Sequence, residues 1–220
     1  NKRVMAVKRE AATELPETGA ILWMVAGRLT GLRPCEWFSA ELIQRHPETG
    51  GLALLVQNAK AGGDRGNGDT RTIPLHSLDR VMTEAIRHHV SRCRQAAEER
   101  RFNTYYRKCS RALAAASRAL WPSREKHYSL YSMRHQFSAD AKSKLPAQEV
   151  AALLGHATDV TASRHYARAV RGSGSSFAPT PIPLAAEVQK VKLKKRPFKA
   201  GKTSPATSSE LPKGRPRRRP

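Results

Sequence analysis

The stretch HYSLYSMRHQF, from His127 to Phe137, brings two tyrosines, two histidines and an arginine together. These side chains are equipped for chemistry on an anion. Arginine forks N–H donors onto neighbouring oxygens, histidine moves a proton near neutral pH, and a tyrosine phenolate attacks an electrophile. Other polar residues cluster elsewhere. TGLRPCEW places Arg33 and Glu36 three apart, just after a helix. Lys60 stands at the mouth of a glycine-rich turn that also holds Arg65, with Arg71 just beyond it. Arg134 follows Tyr131 by three, which sets both on one face of a helix. His156 follows Gly155 at a helix end, and Tyr166 lies between His165 and Ala167. Each has an everyday reading as well. A single arginine is most often a solvated surface residue, and a histidine at a helix end can simply answer the helix dipole. Tyr105, Tyr106, Tyr128 and Tyr131 are rival nucleophiles that read better as core aromatics, and His46, His88 and His89 read as surface or packing residues.

The elements that must position these residues follow from periodicity. LPETGAILWMVAGRLTG reads as a helix, with Pro16 in its first turn, Glu17 at its positive end and Gly31 as its cap. LALLVQNAK and TRTIPL are short apolar runs separated by AGGDRGNGD, which predicts two strands and a long turn. SLDRVMTEAIRHHVSRCRQAAEERR puts Leu78, Met82, Ile86, Val90, Cys93 and Ala97 on one helical stripe. TYYRKCSRALAAASRALW is a second such helix, stopped by Pro122. A helix from about Ser129 to Lys144 follows, then a short one in PAQEVAALLG and another in TDVTASRHYARAV. The order predicts a mostly α-helical α+β domain with a small antiparallel β-sheet.

Charge narrows the class of partner. The 220 residues carry 40 Lys+Arg against 18 Asp+Glu, a net charge of +22. That imbalance points to a polyanion, nucleic acid before an anionic membrane surface. The longest apolar run, Ala20 to Ala26, is far short of the roughly 20 residues that span a bilayer. Cys35, Cys93 and Cys109 are odd in number and widely spaced, which argues against a disulfide scaffold or a zinc site and fits a reducing cytoplasm. No ATP-binding spacing and no carboxylate cluster for Mg²⁺ is visible, so neither a cofactor nor a metal is expected. Composition changes near Gly172. Residues 172–220 hold 12 Lys/Arg, 2 Asp/Glu and eight of the fourteen prolines, and end KGRPRRRP. They read as a mostly disordered basic tail that contacts phosphate non-specifically. One short helix is expected within Pro183–Lys195, where Leu184, Val188 and Val191 share a face.

In this order, the polar segments resemble the boxes of the tyrosine recombinases, or phage-type integrases. TGLRPCEW resembles the first arginine box, NAKAGGDRGNGDTRTIPL the strand–turn–strand lysine segment, YSMRHQFSA the second box, and LLGHATDVTASRHY the box that ends in the nucleophilic tyrosine. The resemblance covers roughly Leu15 to Arg171 and implies that residues 1–171 form the family's catalytic domain. The family's N-terminal core-binding domain would precede Asn1. It implies a metal- and ATP-independent DNA strand breakage and rejoining enzyme, a site-specific recombinase or integrase of a mobile element. Tyr166 would attack the phosphodiester to give a 3′-phosphotyrosyl link, Arg33 and Arg134 would clamp the non-bridging oxygens, Lys60 would protonate the leaving 5′-oxygen, and His156 would donate to the phosphate. Glu36 would orient Arg33 or its loop. The implied partner is double-stranded DNA, bound by a homo-tetramer across two sites, with no membrane role. Neighbours in such assemblies often exchange a C-terminal segment, here Pro183–Lys195. The implied location is the bacterial cytoplasm, at the nucleoid.

The sequence departs from the family at one position. The second box normally opens with histidine and has Tyr131 here. A tyrosine, with a pKa near 10, is a poor base at neutral pH but still donates a hydrogen bond. His135 is one residue past Arg134, so its side chain is turned about 100° away from it on a helix. His127 lies one turn before Tyr131. The departure favours one alternative, a DNA-binding protein of this fold with impaired or lost cleavage; a second alternative, a telomere resolvase or type IB topoisomerase, shares the same covalent chemistry.

Overall fold

A computed structural model describes residues 15–59, 66–161 and 179–194. It is a mixed α+β structure in which about half of the described residues are helical. Helix α1 (Pro16–Thr30) opens with proline in its first turn and ends on Gly31, whose φ of 68° is left-handed. Its buried face carries Trp23, Ala26 and Leu29. A short 3-10 turn (Pro34–Phe38) follows, and Trp37 points inward from it.

The three described strands form an antiparallel sheet in the order β1-β2-β3: β1 (Glu41–Ile43), β2 (Ala53–Gln57) and β3 (Thr70–Pro74). β2 and β3 are the two expected strands. β1 was not foreseen, because three residues are too few for an alternation to register. The register pairs Leu54 with Ile73 and Val56 with Arg71. Leu54, Val56, Ile73 and Arg71 are all fully buried, so one face of the sheet lies against the core.

Helix α2 (Arg80–Glu98) is capped by Asp79, whose side chain accepts from the Met82 amide at 2.8 Å. Helix α3 (Phe102–Leu120) ends at Trp121, just before Pro122. Both pack on α1, as does α4 (Ser132–Lys142). The centre of this bundle is aromatic. Trp23 stands 4.9 Å from His89, 6.1 Å from Phe102 and about as close to Tyr105 and Tyr106, measured between ring centroids. His89, fully enclosed, stands edge-on to Trp37 at 4.5 Å. The α2 stripe holds, and His89 belongs to it as a core residue.

Helix α5 (Ala147–Leu154) closes on Gly155, again left-handed at φ 64°. Helix α6 (Ala185–Gln189) lies in the basic C-terminal region and packs on α5. Val191 and Val188 meet Ala151 and Ala152, and Gln148 donates to the Val188 and Val191 carbonyls at 3.1 and 3.3 Å. The Glu187 carboxylate is buried and accepts from the Thr72 amide of β3 at 3.1 Å. The helix expected over TDVTASRHYARAV falls mainly after Thr161, outside the described residues. No described helix is long and apolar enough to cross a membrane.

Candidate functional site

Two helix ends meet the start of a third. The last carbonyls of α1 and α5 have no partner within their own helices and need donors from elsewhere. Arg134, in the first turn of α4, supplies them. Its Nη1 donates to the Gly31 carbonyl at 2.6 Å and its Nη2 to the Leu154 carbonyl at 2.7 Å. A guanidinium at two C-terminal ends is also favoured by both helix dipoles. Arg134 is completely buried. Gly31 and Gly155 let the chain turn here. A side chain at Gly31 would run into the Phe137 ring, and a Cβ at Gly155 would stand 2.9 Å from Arg71 Nη1.

Glu36 lies at the middle of this arrangement. It is buried, and its Oε1 accepts from Arg33 Nη1 at 2.5 Å while Oε2 accepts from the Arg33 amide at 2.7 Å. Arg71 donates from Nη2 to Oε2 at 2.9 Å and from Nη1 to Oε1 at 3.2 Å. Arg134 Nη1 stands 3.8 Å from Oε2. Burial alone would raise the Glu36 pKa. Arg71 above all, then Arg134 and Arg33, outweigh burial and hold the carboxyl far below the usual range, so it stays ionised. The expected pairing of Glu36 with Arg33 is therefore present in the geometry.

His156 completes the group. Arg134 Nη2 lies 3.2 Å from its Nε2. Arginine has only donors, so Nε2 accepts and the ring proton sits on Nδ1. Burial, followed by Arg134, Arg33 and Arg71, pushes the His156 pKa down to about 2, with Glu36 opposing. The imidazole is neutral at physiological pH and can offer one proton, from Nδ1.

The hairpin arms enter the same place. The Ala59 amide donates to Glu36 Oε1 at 3.4 Å, Asn58 Nδ2 donates to the Gly68 carbonyl at 2.8 Å, and Gly66 pairs with the backbone of His156. Lys60, next after Ala59, and Tyr166 both lie outside the described residues.

Tyr131 stands one helical turn before Arg134, as its spacing implies, with backbone dihedrals that are already α-helical. It is the residue on which α4 starts, and its carbonyl accepts from the Arg134 amide at 3.1 Å. Its ring stands edge-on to His135, with centroids 5.3 Å apart. The offset of His135 from Arg134 was legible, but the four-residue step that returns His135 to Tyr131 was missed. Burial, then Arg134 and Lys142, lower the His135 pKa. His127 lies before the helix, its Nδ1 3.3 Å from Ser117 Oγ of α3. Arg71 is the site residue that sequence reasoning undervalued, placing it only as a basic residue just beyond the glycine-rich turn. The signal was present in TRTIPL, where strand alternation sets Arg71 on the face of Ile73.

In comparisons with known proteins, no family model, no curated protein and no solved structure matches this chain.

Proposed function

We propose that this chain is the catalytic part of a tyrosine recombinase, which cuts and rejoins double-stranded DNA through a covalent phosphotyrosyl intermediate. The observation that carries this reading is convergence. Arg33, Arg134 and His156 come from three segments far apart in sequence and meet around Glu36. Those are three of the residues that the resemblance to the family selects; Lys60 and Tyr166 lie outside the described residues. A net charge of +22 fits a DNA partner.

The chemistry asks for such a cluster. Attack on a phosphodiester builds negative charge on the non-bridging oxygens, and guanidinium groups held in a buried setting stabilise it without reorganising. Glu36 and the two helix ends hold Arg33 and Arg134 in place before DNA arrives. Neutral His156 offers its Nδ1 proton as a further donor. Tyr166 is the proposed nucleophile: its phenolic oxygen releases its proton to solvent and bonds to phosphorus as the bond to the 5′-oxygen breaks. Lys60 is the proposed general acid, giving its proton to that oxygen. Rejoining runs these steps in reverse, so the phosphotyrosyl bond keeps the energy of the broken linkage. A tetramer on two DNA sites and a role in moving a mobile element belong to the same proposal.

Tyr131 favours a second reading, a protein of this fold that binds DNA without cutting it, because it stands where the family has histidine. A nicked duplex that traps cleavage separates the two. The expected result is a covalent protein–DNA product on a denaturing gel, absent from Tyr166→Phe and reduced by at least about 100-fold in Arg33→Ala. Intact DNA binding with no covalent product would establish the second reading instead.

A further inference from the structure

Arg71 is an inward-facing charge on a sheet whose other inward residues are apolar. It shares the buried face of β3 with Ile73 and lies opposite Val56 of β2. A cation buried this deeply is tolerated only if its donors are answered. They are answered in three directions. Nε donates to the Leu153 carbonyl at 2.9 Å, Nη1 to Asn58 Oδ1, and Nη1 and Nη2 to the two oxygens of Glu36. Leu153 lies in the last turn of α5, two residues before Gly155 and three before His156. Asn58 ties the neck of the hairpin through the Gly68 carbonyl. Glu36 in turn grips Arg33 through both its side chain and its amide.

We propose that Arg71 is the positioning residue of this site, fixing Glu36, and through it Arg33, against the hairpin neck and the His156 turn. The proposal rests on the DNA-cleavage reading above. Arg71 acts through its neighbours and does not touch phosphate. Lysine cannot replace it, because an ammonium is a point charge and the site needs a planar fork with a third arm. Gly155 belongs to the same device, since a Cβ there would stand 2.5 Å from Asn58 Oδ1 and 2.9 Å from Arg71 Nη1.

An internal staple that only stabilised the fold would act differently from a residue that aims Arg33. The staple would lower the folded fraction. The positioning residue lowers the rate of the chemical step in molecules that remain folded and bound. The full chain is incubated with a pool of nicked duplexes of randomised core sequence, and covalent product is followed in time and against duplex concentration. Arg71→Lys should lower the rate at saturating duplex roughly 10-fold while half-saturation moves less than about twofold. Arg71→Met should lower the rate about 100-fold. Glu36→Gln should resemble Arg71→Lys, and Arg71→Met combined with Glu36→Gln should be no worse than Arg71→Met alone, because both act through Arg33. Arg71→Lys keeps charge and length, so it guards against a variant that fails to fold. An unchanged rate in Arg71→Lys would overturn the role. So would losses that multiply in the double variant, or losses matched by the melted fraction at the assay temperature. A complete absence of product from the unmodified chain would overturn cleavage itself, and this role with it.

Discussion

Tyr131 is the residue at which chemistry and resemblance part. A histidine there would exchange protons near neutral pH, whereas the phenol ordinarily titrates near 10 and can only donate a hydrogen bond. The ring is held at the start of α4, edge-on to His135 at 5.3 Å, one residue's carbonyl away from the Arg134 amide. Under the proposed cleavage reading, the two arginines would supply most of the stabilisation of a phosphorane-like transition state, and a single proton-transfer group is worth roughly 100-fold or somewhat more. Tyr131→Phe is therefore expected to slow covalent product formation modestly, by no more than about 100-fold, and Tyr131→His to remain active. Single-turnover cleavage of the nicked duplex measures both. Total loss in Tyr131→Phe would show that its hydroxyl is indispensable to the step. Arg33, Arg134, Glu36 and His156 were singled out by the resemblance to the family, and the structure sets them side by side. Arg71 was less legible, because its importance comes from a contact with Glu36, 35 residues away, that no local pattern encodes.

At the scale of elements, the site is built from helix ends, and helix ends are well marked in sequence. Gly31 and Gly155 were both expected as caps, and both adopt left-handed φ. The two long amphipathic helices and the β2–β3 pair were also plain from period and turn composition. The third strand was not, and neither was the docking of α6. Its face is short, and Glu187 within it reads as solvent-facing until the Thr72 amide of β3 is placed beside it. The caps carry a prediction. Gly155→Ala keeps a strained φ and sets a Cβ 2.5 Å from Asn58 Oδ1 and 2.9 Å from Arg71 Nη1, whereas Gly50→Ala has a similar φ of 66° with open space around it. Gly50→Ala should cost about 1 kcal/mol from backbone strain alone. Gly155→Ala should cost more, roughly 2–4 kcal/mol, and should reduce covalent product in the folded fraction as well. Urea melts and the cleavage assay test this together. Equal cost at the two positions would mean that the Asn58 and Arg71 contacts yield freely.

At the scale of the whole molecule, two imidazoles among the described residues, His89 and His156, are held far below their ordinary pKa and make stability depend on pH in a defined window. His89 is enclosed between Trp23 and Trp37, and burial pushes its pKa down to about 3. Burial and the surrounding arginines push His156 down to about 2. In the unfolded chain both would titrate near 6.5. Above that value neither state binds the proton and the histidines leave stability unchanged. Below it the unfolded chain takes up protons that the folded chain refuses, so stability falls as pH falls, and goes on falling toward pH 3. Each site contributes a slope of about 1.4 kcal/mol per pH unit, so the pair gives somewhat under 3. Glu36 acts in the same direction lower down. Its carboxyl is held far below the ordinary range, so the stability it lends is present above about pH 4.5 and is lost as pH drops further. The expected outcome is a flat stability profile from pH 8 to 7 and a steep decline from 6 to 4.5, read from urea midpoints. His89→Leu should lower stability at every pH, because the ring contacts with Trp23 and Trp37 go, yet remove about half of the slope between pH 6 and 5. The slope separates the two effects: an unchanged slope in His89→Leu would mean that His89 takes up its proton in the folded chain and is not sealed in the aromatic core.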